Sequence, residues 1–542
     1  MSKYFPFFLI FFILNFSFNA QDFETHYANA LKDFEQKKFP EAVFDFSKAI
    51  EFKKTDAEAY FGRGRCYAVL QQPTDALRDF NRAIELNDKK SAYFNARGYT
   101  YQDLKDTAQA ITNYNKAIAL DSSDYKPLYN MALVSIERKF YNSALTFLTL
   151  CLKRESRDPE IYFTKGFILE DTKDEKNALL CYESSISIDS NYVNALFAAS
   201  NLYYENENNK KALNYINRAL TIDSKNAEYY NIKGMILENM DDTVGAFNYY
   251  DKALAIDKKL FGAWFNRANL NNELLQFNEA LKDVAQALAI DSNDADMYIE
   301  KARAYEGLLD TTKALYFYTK ATEKDPLNFL AWFNRGNFYC SIEKNNQAIS
   351  DLNRAININP TDAETYCIRA ECFIDLQFYS SALQDLQKAQ SINPTDPNIF
   401  YEMGICNDGV GSFTTALANY NKAIELKSTD DDYYYNRGNT YYNLADVESA
   451  KKDYLKAIEI NPKNMDVYFN LGNVYYDQAF FKDAKKCFEI YAEAYPKDAE
   501  AFLNLGWAKK ELKDKNGACE DFKKASGLGS KIAKENFTKY CN

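Results

Sequence analysis

The chain has 542 residues, 47% of them hydrophobic, with 77 acidic against 65 basic side chains and a net charge of −12. That balance repels phosphate backbones, so nucleic acid is not expected as a partner. The single histidine, His26, leaves no Ser–His–Asp or Cys–His set to assemble, and no glycine-rich phosphate loop is present, so no enzyme is expected.

Met1-Ser2-Lys3 gives a positive start, Phe5 to Phe18 is almost wholly apolar, and Asn19-Ala20-Gln21 closes the segment. Charge, length and a small terminal residue read as a secretory signal over residues 1–20, although Phe18 stands where a small residue usually precedes the cleavage site. The apolar run is short for a membrane span, which needs about 20 residues. The mature protein is therefore expected to be exported to the periplasm, the outer membrane or the medium, with no transmembrane span.

From residue 23 to residue 532 a 34-residue unit recurs fifteen times without insertion. An alanine marks it at Ala42, Ala76, Ala110 and every 34th residue to Ala518, and a bulky apolar residue follows four places later, as in Phe46, Phe80 and Tyr114. Small residues precede the anchor by twelve places (Gly64, Gly98, Gly438) and follow it by seven (Ala49, Ala83, Ala457). Such a period is the mark of a solenoid built from nearest-neighbour contacts. Within 431–464, Tyr434, Gly438 and Tyr441 share one helix face, and Ala450, Tyr454 and Ala457 share another. Ala445-Asp446 breaks the first helix from the second, and Asn461-Pro462 stops the second, because proline cannot continue a helix. Each unit is thus a helix–turn–helix.

Arginine precedes the glycine or alanine of the first helix in six units, at Arg63, Arg97, Arg267, Arg335, Arg369 and Arg437. Sixteen residues later those units carry Asp79, Asn113, Asp283, Asp351, Asp385 and Asp453. Of the nine units without arginine, only two have aspartate there, Asp45 and Asp521. The co-occurrence predicts a clasp between the two helices of one unit. Eight of the ten cysteines occupy helix positions suited to small apolar residues, with no Cys-x-x-Cys pair, so buried thiols are expected and neither a metal nor a cofactor. At the end, Gly527-Leu528-Gly529-Ser530 makes a turn, and Ala533, Phe537 and Tyr540 recur at helical spacing in a solvating helix over 531–542. Cys519 and Cys541 would lie nearly level in that hairpin; a disulfide and two unrelated thiols are both open readings.

The pattern carried by Tyr468, Leu471, Gly472, Tyr475, Ala484, Phe488 and Pro496 resembles the tetratricopeptide repeat family, in its exported bacterial form. The first unit departs most, with His26 and Asp33 in place of aromatics. The resemblance implies an all-α, right-handed α-solenoid superhelix of about fifteen repeats with a C-terminal capping helix, the first helix of each repeat lining the concave wall. The family's carboxylate clamp, which needs lysine at the fifth position, is not supported, since Phe61, Phe163, Phe333 and Tyr435 stand there.

Two features of that wall carry the functional expectation. Paired asparagines recur at Asn266/Asn269, Asn334/Asn337, Asn436/Asn439 and Asn470/Asn473, continued by Asn504, and could hydrogen-bond an extended peptide. Acidic residues gather near the ends of the first helices, among them Glu35, Asp103, Glu137, Glu170, Glu205, Glu238, Glu273, Glu306, Asp375, Asp408 and Asp477, and would favour a basic partner. The expectation is a protein-interaction scaffold of the periplasm or cell surface. The competing reading is a self-associating structural envelope protein without a separate ligand, and the oligomeric state is left open.

Overall fold

A computed structural model of the protein describes residues 21–155 and 157–541, so the signal-peptide reading of residues 1–20 lies outside the described residues. Every regular element among the described residues is an α-helix: fifteen consecutive pairs, from 21–35 with Phe39–Phe52 to Ala499–Glu511 with Lys515–Gly527, and then Lys531–Cys541. The described residues fall into two compact units, one ending at Ala263 and the other beginning at Trp264. Within each, successive pairs stack as tandem helical hairpins, an α-solenoid arrangement.

With residue 23 as position 1 of the first repeat, first helices occupy positions 1–13 and second helices positions 17–30, as in Asp431–Asn443 and Val447–Ile460. In most repeats an aspartate or asparagine just before position 1 accepts a backbone hydrogen bond from the first turn, as Asp362 does from Thr365 at 2.8 Å, whereas Asn464 donates to Asp431 instead. The second helix is capped in the same way where position 16 is acidic, for example by Asp446. The three-residue turn between helices places position 15 at positive φ in every repeat, and only Gly411 is a glycine there; Gln71, Lys105, Leu275 and Leu309 adopt φ of 56° to 62°.

Each hairpin closes around one ring or branched side chain. The position-24 residues Phe80, Tyr114, Tyr250, Tyr454 and Phe522 are fully buried beside alanines that are themselves inaccessible. The ring lies on the glycine of the first helix: a Cβ added at Gly438 would come within 2.8 Å of Tyr454. Where position 24 is tyrosine, its hydroxyl needs a partner. It donates to position 12 of the same repeat in Tyr114–Gln102 (2.8 Å), Tyr182–Glu170, Tyr250–Glu238 (2.5 Å), Tyr318–Glu306 (2.6 Å) and Tyr420–Asp408 (2.9 Å). Tyr454 instead donates to Asn439 at 2.8 Å.

The co-occurring arginines and aspartates form two-pronged ion pairs within their repeats: Arg63–Asp79 at 2.7 and 2.9 Å, Arg335–Asp351 at 2.6 and 2.9 Å, Arg437–Asp453 at 2.7 Å twice. Arg97 donates to Asn113 at 2.8 Å. The remaining Nη1 reaches back to the second helix of the preceding repeat, from Arg63 to Ser47 (3.0 Å), Arg97 to Asn81 (2.7 Å) and Arg437 to Asn421 (2.5 Å). The two aspartates without arginine have other partners: Asp45 meets the His26 ring at 2.7 Å, and Asp521 meets the Lys509 ammonium at 2.7 Å. Other repeats fill the same two positions differently. Lys233 sits over Tyr249 at 4.1 Å and Lys301 over Phe317 at 4.4 Å, while Leu471 and Cys487 bury apolar atoms there.

The final helix buries Ala533 and Asn536, and Tyr540 meets Trp507 edge-on at 5.8 Å. Cys519 and Cys541 form a disulfide with Cα atoms 5.6 Å apart. Closing this 22-residue separation stabilises the cap by about 3 kcal/mol in the loop-entropy account. No helix among the described residues is long and apolar enough to cross a membrane.

Candidate functional site

All nine asparagines of the predicted row lie in the second unit, on first helices at positions 6 and 9. Much of their hydrogen bonding joins one repeat to the next. Asn470 Nδ2 donates to Asn439 Oδ1 at 2.8 Å, and Asn504 Nδ2 donates to Asn473 Oδ1 at 3.2 Å, so position 6 of one repeat meets position 9 of the repeat before it. Asn470 also reaches Tyr435 Oη (3.2 Å), and Asn436 reaches Tyr401 Oη (2.9 Å). Asn269 accepts from Arg303 at 2.8 Å and donates to Glu273 at 3.1 Å, while Asn266 sits one turn earlier on the same helix. Asn334 donates to the Leu330 carbonyl at 2.8 Å, and Asn337 beside it is exposed.

The row also borders two pockets. One of about 330 Å³ is lined by Asn334, Asn337, Arg303 and Glu306 with Phe277 and Phe338. The other, about 300 Å³, lies between Asn473, Asn504, Tyr476, Phe488 and Trp507. Each combines amide groups with ring faces, which suits peptide backbone and side chain together.

The acidic residues of the first-helix ends are less free than the sequence implies. Glu170, Glu238, Glu306 and Asp408 accept tyrosine hydroxyls within their own repeats, and Asp408 also accepts from Thr440 at 2.6 Å. Asp477 accepts from Tyr442 at 2.6 Å. Buried hydroxyls need acceptors, so Glu170, Glu238, Glu306 and Asp408 serve packing first, whereas the Tyr442–Asp477 bond is exposed.

A different acidic pair stands out by register. Glu371 occupies position 9 of the eleventh repeat and Glu402 position 6 of the twelfth, the places that Asn439 and Asn470 hold two repeats later. Glu402 is half-buried, and its Oε2 is inaccessible and has no hydrogen-bond partner. Burial pushes its carboxyl up to about 8, with repulsion from Glu371 and Asp396 adding to the effect. Composition could not single out two carboxylates among 77. Aligning the repeats on the asparagine positions would have found them. Among the described residues no group of three or more His, Cys, Asp or Glu could hold a metal ion.

An array of tandem helical hairpins with an amide- and carboxylate-bearing first-helix face is an interaction scaffold by architecture. Tetratricopeptide repeat family models match residues 57–90, 91–124, 159–192, 193–226, 227–260, 317–350 and 469–525, and a related TPR repeat model matches 411–444 and 446–478; the chain belongs to the tetratricopeptide repeat family. Among solved structures it is similar to a chain of the APC/C hetero-tetramer Cut9–Hcn1, at 15% identity over 88% of this chain and 95% of that one, with a TM-score of 0.43. It is also similar to YrrB, described as a TPR protein with an unusual peptide-binding site, at 27% identity over 34% of this chain and 95% of that one (TM-score 0.31). MamA matches at 25% identity over 30% of this chain and 96% of that one (TM-score 0.29). No curated protein matches the chain.

Proposed function

We propose that the protein is an exported interaction scaffold whose first-helix face in the second unit receives an extended segment of a partner protein, with a basic side chain of that segment entering between Glu371 and Glu402. The observation that carries this reading is the carboxylate pair standing where neighbouring repeats pair two amides, with a buried, unpartnered oxygen on Glu402. A guanidinium or ammonium there would supply the missing donor and favour the ionised form of Glu402, which burial and Glu371 otherwise oppose. The pockets beside Asn334/Asn337 and Asn473/Asn504 offer flanking places for the same segment. The composition of residues 1–20 and the cap disulfide support export.

Affinity capture from envelope extracts tests the partner reading, using wild type, a variant with Asn334, Asn337, Asn436 and Asn439 changed to Ala, and a Glu371→Gln/Glu402→Gln variant. Loss of a captured protein with the glutamate variant is expected; recovery of the same proteins by all three forms overturns it. Fractionation with N-terminal sequencing tests export, and a mature protein beginning at Gln21 is expected. The second reading, self-association, draws on the exposed apolar residues at the hairpin turns, such as Leu275, Leu309, Phe378 and Phe480 in the second unit. A concentration-independent monomer in sedimentation would remove it.

A further inference from the structure

Repeats ten and eleven bring two cysteines together that are not joined. The Sγ atoms of Cys340, in the helix Phe329–Ser341, and Cys372, in Ala363–Asp375, lie 2.8 Å apart. Cys340 stands at position 12 of its repeat and Cys372 at position 10 of the next. The fold makes that juxtaposition elsewhere too: Asp408 and Thr440 hold the same two positions two repeats on, and bond at 2.6 Å. Cys66 and Cys406 also occupy position 10, but position 12 of the repeat before each is Phe34 or Ile374, so neither register pair is a dithiol. The contact of Cys340 with Cys372 therefore follows from register, and the two thiols face each other across the seam between hairpins. Ala348, Leu352 and Ile368 pack around Cys372, which is fully buried, whereas Cys340 is partly accessible.

We propose that Cys340 and Cys372 are an oxidation site: a dithiol that a low-molecular-weight disulfide converts into a second disulfide, stapling the tenth repeat to the eleventh. Cys340 is the attacking sulfur. It accepts the hydrogen bond from the Cys372 thiol, which holds its pKa below the usual thiol range, while the pKa of Cys372 is pushed far up by giving that bond and by burial. The Cys340 thiolate displaces one thiolate from the oxidant and forms a mixed disulfide. The Cys372 sulfur, losing its proton, then attacks Cys340 Sγ and expels the second thiolate. One oxidant disulfide is reduced to two thiols, which take up the two protons the protein gives off. The closing move is short, since the sulfurs need to approach from 2.8 Å to a bonded distance of about 2.0 Å. The bond would couple two first helices that otherwise meet only by packing, and would resist opening of the seam next to Glu371.

The full-length protein, equilibrated in glutathione buffers of graded oxidised-to-reduced ratio and then alkylated in acid, tests this by non-reducing peptide mapping. The Cys519–Cys541 bridge provides the internal reference. Expected are a cross-linked peptide pair containing Cys340 and Cys372, the loss of two of the eight free thiols together, and slower hydrogen exchange in the two helices that carry them. Cys372→Ser should leave a stable glutathione adduct on Cys340, and Cys340→Ser should leave Cys372 unmodified. If the buried serine prevents folding, Cys372→Ala serves the same purpose. Complete alkylation of both cysteines in buffers that keep Cys519–Cys541 bridged overturns the proposal. So does a wild-type protein that stops at the Cys340 adduct.

Discussion

Removing one member of the Arg335–Asp351 clasp should cost far more than replacing both. The two side chains are 13% and 7% exposed, and they share two hydrogen bonds, while Arg335 Nη1 also holds Thr319 and Thr322 of the preceding repeat at 3.3 and 3.0 Å. Arg335→Ala strands a buried carboxylate and Asp351→Ala strands a guanidinium, each at about 3–5 kcal/mol. The fourteenth repeat shows what the same two positions accept instead, since Leu471 and Cys487 fill them with apolar atoms at 2% and 7% exposure. Transplanting that pair, Arg335→Leu with Asp351→Cys, should therefore lie within about 1–2 kcal/mol of wild type, because no charge is left buried. A tandem array does not unfold as one unit, so a single melting temperature would blur the effect. Native-state hydrogen exchange in the helices Phe329–Ser341 and Asn345–Ile358 reads it locally. A loss of about 3 kcal/mol appears as protection falling roughly a hundredfold. If the double variant loses the sum of the two single losses, the residues act independently and the clasp reasoning fails.

Two further outcomes follow from other features. Glu402, pushed up to about 8 from its ordinary 4.5, stays protonated in the folded protein at pH values where the unfolded chain has lost the proton. Its contribution is therefore greatest at low pH and declines as pH rises from about 4.5 through about 8, by at most about 1.4 kcal/mol per pH unit. Protection of the helix Pro397–Gly409, corrected for intrinsic exchange, should fall across that window in wild type and stay level in Glu402→Gln; parallel curves would discard the assignment. At the turns, Leu309 holds φ of 60° while 89% exposed, so Leu309→Gly should stabilise the ninth repeat by about 0.5 kcal/mol, relief of the left-handed strain exceeding the added chain entropy. Leu308→Gly, at φ of −80°, should destabilise it, and equal effects of the two substitutions on hydrogen exchange in the helices Ala295–Gly307 and Thr311–Lys324 would refute the argument.

The periodic part of the fold is legible because position sets burial so strictly. The small residue at position 8 marks the first helix, the alanine at position 20 and the ring at position 24 mark the second, and the arginine–aspartate co-occurrence predicts a contact that the structure contains. A second co-occurrence is equally present in the sequence: in five of six repeats with tyrosine at position 24, position 12 is Gln102, Glu170, Glu238, Glu306 or Asp408, the exception being Tyr454 with Tyr442, whereas Phe80, Leu148 and Leu386 face Ala68, Ile136 and Ile374. Reading those acids by charge alone made them an interaction wall, when the hydroxyl twelve residues away claims four of them. The asparagine row was visible as a pattern but not in its partners, because Asn470 meets Asn439 across 31 residues of chain, through packing between repeats. Glu371 and Glu402 escaped for the same reason: each is ordinary in its own helix, and the pair exists only between helices.

The arginines that reach back to Ser47, Asn81 and Asn421 give the array a direction. Each bond runs from a later residue to a side chain already synthesised, sixteen residues earlier, on the last helix of the finished repeat. A chain emerging from its N-terminus thus offers each of these arginines a completed acceptor, and its partner, Asp79, Asn113 or Asp453, arrives sixteen residues afterwards to lock it. The same order holds for a chain that emerges N-terminus first from a translocation channel, so consecutive hairpins can dock one after another. Assembly in the opposite order would leave each guanidinium waiting for a neighbour not yet in place.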